Sequence, residues 1–327
     1  MKSALFCAAA AALTGVFAVG RTAEADETGK MEDRYAEVNG VKLHYVESGK
    51  GPVILFLHGF PEFWYAWKDQ LKEFGRSHHA VAVDMRGYNL SGKPEKLEEY
   101  AIPKLVEDVA GLLDKLSPAK KAVLVGHDWG GVVAWVFAAM HPEKLDKLVI
   151  INAPHPTIFA RELASNPAQQ RASGYMNIFR GAQAEGFMSA NNYAALVSGV
   201  LGSARKGAFS DDDKKEYLKA WAQPGALTGG LNYYRASKVG PPAAGEQVSL
   251  KSLPPLEIKV PTLVIWGEKD TALLTGNLDG LDKLVTQLTV KKIPEGTHWV
   301  VHEEPALINL TIREFLGGRL SVDIQKK

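Results

Sequence analysis

The sequence predicts an α/β fold, with a mostly parallel central sheet, helices on both of its faces and one inserted helical cap. Three observations predict it. Apolar runs of strand length alternate with helical patterns through the first half of the chain. One such run, Val123-Leu124-Val125, breaks at Gly126-His127-Asp128-Trp129-Gly130 and gives way at once to a helical pattern. From about residue 155 to residue 254 strand-like runs vanish, and beyond that the alternation returns.

Taken in order, the chain begins with Lys2, an uncharged stretch over 4–20 and then Ala23-Glu24-Ala25. That succession of basic, apolar and A-x-A segments reads as a signal peptide over 1–25 and predicts an exported protein, periplasmic or secreted. An uncleaved anchor is the alternative, because the apolar run is near the ~17-residue minimum for spanning a bilayer. Cleavage would leave no stable membrane association. It would also remove Cys7, the single cysteine of the 327-residue chain, so the mature protein would have no disulfide. Losing Lys2, Arg21 and Glu24 would take the formal charge from +1 to zero, which argues against a nucleic-acid or anionic-surface partner. At 46% hydrophobic residues the chain can bury a substantial core.

Alternating residues on either side of Asn39-Gly40 predict a hairpin over 34–46. Val53-Ile54-Leu55-Phe56-Leu57 is apolar throughout, as a central parallel strand covered on both faces requires. A helical stretch follows over 63–74, then a buried strand over 80–84, and a helix over 104–116 with Pro103 at its start. The elbow strand 122–125, its helix and a strand over 148–152 continue the alternation. In the cap, Ser210 before Asp211-Asp212-Asp213 suits a helix N-cap and an acidic first turn. Pro241-Pro242 and Pro254-Pro255 punctuate the end of the cap, before strands at 262–267 and 288–293 and a helix over 305–315. The expected organisation is a core of 26–154 with 255–327, and a cap of 155–254.

Gly126-x-Asp128-x-Gly130 has the outline of a nucleophile elbow, a sharp strand-to-helix turn that lifts its central side chain above the sheet. A carboxylate there attacks an sp3 carbon and forms an ester with it. That ester needs water activated by a base, and His298 in Gly296-Thr297-His298-Trp299 follows a late strand. Asp270, after the preceding strand, can hold the imidazole tautomer. Charge developing on the ester oxygen needs backbone donors, and the amides of Trp129 and Phe60 are the candidates, since Pro61 has none. His298, His302 and Glu303 do not make a convincing zinc set beside this arrangement. No nucleotide loop occurs, and the residues imply no metal and no cofactor.

His58-Gly59-Phe60-Pro61, Gly126-His127-Asp128-Trp129-Gly130-Gly131, Leu231-Asn232-Tyr233-Tyr234-Arg235 and Gly296-Thr297-His298-Trp299 together resemble the epoxide hydrolase branch of the α/β-hydrolase superfamily. The likeness spans nearly the whole mature chain. It implies the α/β-hydrolase fold, hydrolysis of an epoxide to a vicinal diol, and a small-molecule substrate and water as partners, with the oligomeric state left open. It also implies that Tyr175 and Tyr234 of the cap hydrogen-bond the epoxide oxygen. For Tyr175, simple packing of the cap is the competing reading. The segment Glu268-Lys269-Asp270-Thr271 lacks the proline of many relatives but keeps the aspartate. The elbow alone is shared with haloalkane dehalogenases, so haloalkane or haloacid dehalogenation through the same triad stands as the alternative. A non-catalytic binding protein of the same fold is the third.

Overall fold

The computed structural model describes Met1 and residues 30–237, 240–241 and 256–317. The segment read as a leader, Met1 apart, and the prolines expected to close the cap, Pro241 apart, lie outside the described residues.

Eight strands form one sheet: β1 (Met31–Val38), β2 (Val41–Ser48), β3 (Val53–Leu57), β4 (His79–Val83), β5 (Ala122–His127), β6 (Leu145–Ile151), β7 (Thr262–Gly267) and β8 (Leu288–Ile293). Their spatial order is β1-β2-β4-β3-β5-β6-β7-β8. Only β2 runs antiparallel to its neighbours, and every pair from β4 to β8 is parallel. The β1–β2 hairpin turns at Asn39 and Gly40, whose φ values of 49° and 72° are the left-handed pair that a two-residue hairpin loop needs.

The apolar runs are explained by the two faces they serve. Leu55 and Leu57 of β3, with Val81, Leu124, Ile150 and Val264, point into one core, while Ile54 and Phe56, with Ala82, Val125, Ile151 and Ile265, point into the other. Because both faces are covered, alternation is lost and each strand reads as continuously hydrophobic. On the second face lies α1 (Lys68–Phe74), where Trp67 and Phe74 pack on Phe56 with ring centroids 5.1 and 6.1 Å away. Burying side chains of this size contributes about 1.5–3 kcal/mol each. The helix expected over 63–74 has a tight first turn, Trp64–Trp67, with 3-10 geometry. Phe63, the residue before that turn, offers no capping side chain; instead the Trp64 amide donates to Asp84 Oδ1 at 2.9 Å, so the residue that follows β4 holds the start.

On the first face lie α2 (Ile102–Leu116), with Pro103 in its opening turn, and α3 (Trp129–Met140), whose Val133, Trp135 and Phe137 are fully buried. Between β6 and β7 the described chain is helical: α4 (Pro156–Ser165), α5 (Pro167–Ala172), α6 (Tyr175–Arg180), α7 (Ala184–Ala194), α8 (Asp211–Trp221) and α9 (Ala226–Ala236). Ser210 and Asp213 form a reciprocal capping box at the start of α8. Helix α7 is interrupted by three successive left-handed residues, Asn191, Asn192 and Tyr193. The short α10 (Val300–Glu303) and α11 (Pro305–Leu316) complete the second face.

Candidate active site

The residues of interest stand on loops at the carboxyl ends of parallel strands, where an open α/β sheet leaves its crevice. Asp128 follows β5 at a φ of 49°, a left-handed conformation for a non-glycine residue, and its backbone carbonyl closes the first turn of α3 by accepting from Val132 N at 3.0 Å. Such a turn needs close approach. A Cβ on Gly130 would overlap the carbonyl oxygens of Leu57 and His58, and one on Gly59 would overlap the Asp128 side chain itself. The glycines of these two motifs therefore let the β3 and β5 loops touch.

Both oxygens of the Asp128 carboxylate are placed. Oδ1 accepts from the Phe60 amide at 2.8 Å, and Oδ2 lies 3.7 Å from His298 Nε2, beyond a normal hydrogen bond. The Trp129 amide comes next in the chain, one of the helix-opening N–H groups that have no partner within α3. His298 comes from the loop between β8 and α10. Its Nδ1 faces Asp270 Oδ2 at 2.7 Å, so Nε2 is left to face Asp128. Asp270 is buried after β7, and its Oδ1 accepts from the amides of Ala272 and Leu273 at 2.8 and 2.9 Å.

Electrostatics follow from this packing. Burial disfavours the His298 imidazolium, but the charge and hydrogen bond of Asp270, with the charge of Asp128, outweigh it and raise the pKa to about 9. For Asp270, burial pushes the carboxyl up and His298 more than offsets it, leaving it below its ordinary value.

Over the carboxylate sit rings from the inserted helices. Tyr234 of α9 is buried among Phe60, Trp129 and Phe179, with centroids 5.4, 5.1 and 5.0 Å away. Tyr175 opens α6 and lies 6.2 Å from Tyr234 between ring centroids. Burial first, and the Asp128 charge second, push both phenols far above their ordinary value, so in this state both are neutral donors. Tyr233, the neighbour of Tyr234, packs edge-on to Trp129 with ring centroids 5.9 Å apart, and its hydroxyl is taken up in donating to the Arg86 carbonyl at 2.9 Å.

All seven residues singled out in the sequence thus meet at one place. A second buried cluster was not legible there. Glu62 accepts from His302 Nε2 at 2.6 Å and from Tyr217 of α8 at 2.7 Å, and meets His127 Nδ1 at 3.1 Å. The charges and hydrogen bonds of the two histidines overcome burial and hold Glu62 well below the ordinary carboxylate value. His127 Nε2 in turn bonds the backbone oxygen of His298 at 2.9 Å, so this cluster braces the loop that carries the imidazole. The sequence signal was only that Glu62 follows His58-Gly59-Phe60-Pro61 and that His127 precedes Asp128. Among the described residues, no group of three or more His, Cys, Asp or Glu side chains is arranged to hold a metal ion.

The chain matches the alpha/beta hydrolase fold family over residues 52–305. It is 38% identical over 290 residues to an AB hydrolase superfamily protein of Bacillus subtilis, covering 88% of this chain and 98% of that one. It is 36% identical over 295 residues to epoxide hydrolase 4 of Homo sapiens, covering 85% of this chain and 76% of the relative. The crystal structure of Bacillus megaterium epoxide hydrolase in complex with an inhibitor superposes with a TM-score of 0.81 at 39% identity, covering 87% of this chain and all of the other.

Proposed function

This chain belongs to the alpha/beta hydrolase fold family, in its epoxide hydrolase branch, and from that premise we propose that it converts epoxides to vicinal diols through an ester on Asp128. The observation that carries the proposal is the Asp128 carboxylate, with one oxygen on the Phe60 amide at 2.8 Å and the other 3.7 Å from His298 Nε2. Oδ2 attacks an epoxide carbon while Tyr175 and Tyr234 hydrogen-bond the ring oxygen. The carbon–oxygen bond breaks as the new one forms, and a tyrosine gives its proton to the alkoxide.

Esterification removes the Asp128 charge, one of the charges that hold the proton on His298. The imidazole then gives up that proton, which restores the tyrosine. Neutral His298, its tautomer set by Asp270, takes a proton from water as the oxygen bonds to the Asp128 carbonyl carbon, and the carbonyl electron pair moves onto Oδ1. The Phe60 and Trp129 amides hold the resulting oxyanion. Collapse releases the diol and leaves a carboxylate and an imidazolium, the state from which the cycle started, so epoxide and water are consumed and no proton is left over.

In this reading residues 155–254 are the cap, whose described helices supply the two tyrosines, and 26–154 with 255–327 are the core that supplies the triad. A small-molecule epoxide and water are the partners. The test is incubation of residues 26–327 with terminal and aryl epoxides and with haloalkanes, assaying diol and halide, with Asp128→Ala alongside. Diol formation that Asp128→Ala abolishes supports the reading. Halide release without diol would move the chemistry to dehalogenation.

A further inference from the structure

Strand β6 ends at Ile151, and the next residue, Asn152, is fully buried at a φ of 39°. Its amide is locked at both ends. Oδ1 accepts from Gly267 N at 2.8 Å, which fixes the opposite end as the NH2, and that NH2 donates to Asp270 Oδ2 at 2.9 Å and to the Gly267 carbonyl at 3.3 Å. Asp270 Oδ2 is the same oxygen that faces His298 Nδ1 at 2.7 Å. The two amides of Ala272 and Leu273 hold Oδ1, and among the described residues Asn152 is the one group besides His298 that bonds Oδ2, the oxygen that orients the imidazole.

We propose that Asn152 is a positioning residue for water activation, holding the Asp270 carboxylate in the plane that aims His298 Nε2 at the Asp128 ester. The inference rests on the reading of His298 and Asp270 given above. Without the amide, the two backbone amides would pin the carboxylate at Oδ1 alone, and Oδ2, with the ring bonded to it, could swing about that pivot. The step at risk is the second one, since attack by Asp128 on the epoxide does not use the base.

A merely structural role, suiting the left-handed turn and tying β6 to β7, makes a different prediction, and Asn152→Asp separates the two. Aspartate has nearly the same shape and tolerates a positive φ. While protonated it can donate to Asp270 Oδ2 as the amide does; once ionised it cannot, and two carboxylates then face one another. The titratable groups around the new carboxyl are Asp270 from the β7 loop and His298 from the β8 loop. Beyond them lie Asp128 and His127 from the end of β5, Glu62, Tyr175 of α6, and His155 at the start of α4, which bonds the Leu256 carbonyl.

The experiment compares native enzyme, Asn152→Asp, Asn152→Gly and His298→Gln on one epoxide. It follows kcat and KM against pH and the fraction of enzyme quenched as the Asp128 ester. For Asn152→Gly the proposal predicts kcat lower by about 10-fold to 100-fold, the range seen when an orienting partner is removed from a functional side chain. KM should fall in parallel, kcat/KM should hold, and ester should accumulate. For Asn152→Asp it predicts a kcat close to native at the acid end, dropping towards the Asn152→Gly value as pH rises. A constant ratio of Asn152→Asp to native across pH, or an unchanged KM in Asn152→Gly, overturns the proposal. If Asn152→Gly does not fold, the Asn152→Asp profile decides alone. Ester on native and His298→Gln enzyme with native kcat in the Asn152 variants sinks this inference only; no ester in any of the four sinks the mechanism beneath it as well.

Discussion

The charge arrangement around His298 makes a prediction about stability that does not depend on turnover. The imidazole is held at a pKa of about 9 against an ordinary 6.5, because Asp270 at 2.7 Å and Asp128 at 3.7 Å outweigh the cost of burying the imidazolium. At about 1.4 kcal/mol per tenfold change in proton affinity, that rise corresponds to about 3 kcal/mol. The side chain is only 13% exposed, so solvent screening takes little from it. Since the folded state binds this proton more tightly than the unfolded chain does, the contribution is complete below the unfolded value of 6.5 and is lost as pH rises through about 9. The perturbation is His298→Gln, which keeps a polar side chain and removes the titration. The assay is denaturant unfolding of both proteins at about pH 6 and about pH 10, with linear extrapolation. Native enzyme should lose about 3 kcal/mol more than the variant between the two pH values. Equal losses would refute the assignment of the charged pair, because no proton would then be bound more tightly in the folded state than in the unfolded one.

Other consequences follow from named contacts. Tyr234→Phe removes a donor that acts only while the epoxide opens, so kcat/KM should fall about 100-fold, the scale of a general acid. The contradictory result is a kcat/KM equal to native. Gly59→Ala puts a methyl group into the Asp128 side chain, so it should abolish diol formation and destabilise the fold by about 1–3 kcal/mol. A variant with native activity and native unfolding midpoint would show that the two loops do not touch. The leader reading predicts a mature chain that begins at Asp26 and is recovered outside the cytoplasm, which intact mass measurement of the exported fraction checks. A chain that keeps Met1 and stays with membranes would support the uncleaved anchor.

What was legible in the sequence was local. Asn39-Gly40 implied its hairpin because only that pair of left-handed residues suits a two-residue loop, and β3 read as central because five successive buried residues leave no solvent face. Asp128, Asp270 and His298 could be chosen because each follows a strand, and the topology alone brings strand ends together. The Glu62 cluster was out of reach for the opposite reason. Glu62 and His302 are 240 positions apart, and Tyr217 arrives from an inserted helix, so no spacing betrays the contact. Asn152 looked like the last residue of a strand; its hydrogen bonds to Gly267 and Asp270, 115 and 118 positions away, give it a different meaning. The left-handed turn at Asn191, Asn192 and Tyr193 contains no glycine to announce it. The first turn before α1 escaped because its support comes from Asp84, beyond the helix it opens.

The most direct test of the covalent reading is a multiple-turnover reaction in water enriched in oxygen-18, followed by mass analysis of the peptide that contains Asp128. Attack of water on the ester carbonyl leaves a solvent oxygen on the enzyme, so that peptide should gain label on Asp128, and the diol of a single turnover should carry unlabelled oxygen taken from the carboxylate. Full label in the single-turnover diol, with an unlabelled peptide after many turnovers, would mean that water attacks the epoxide directly and that Asp128 never forms the ester.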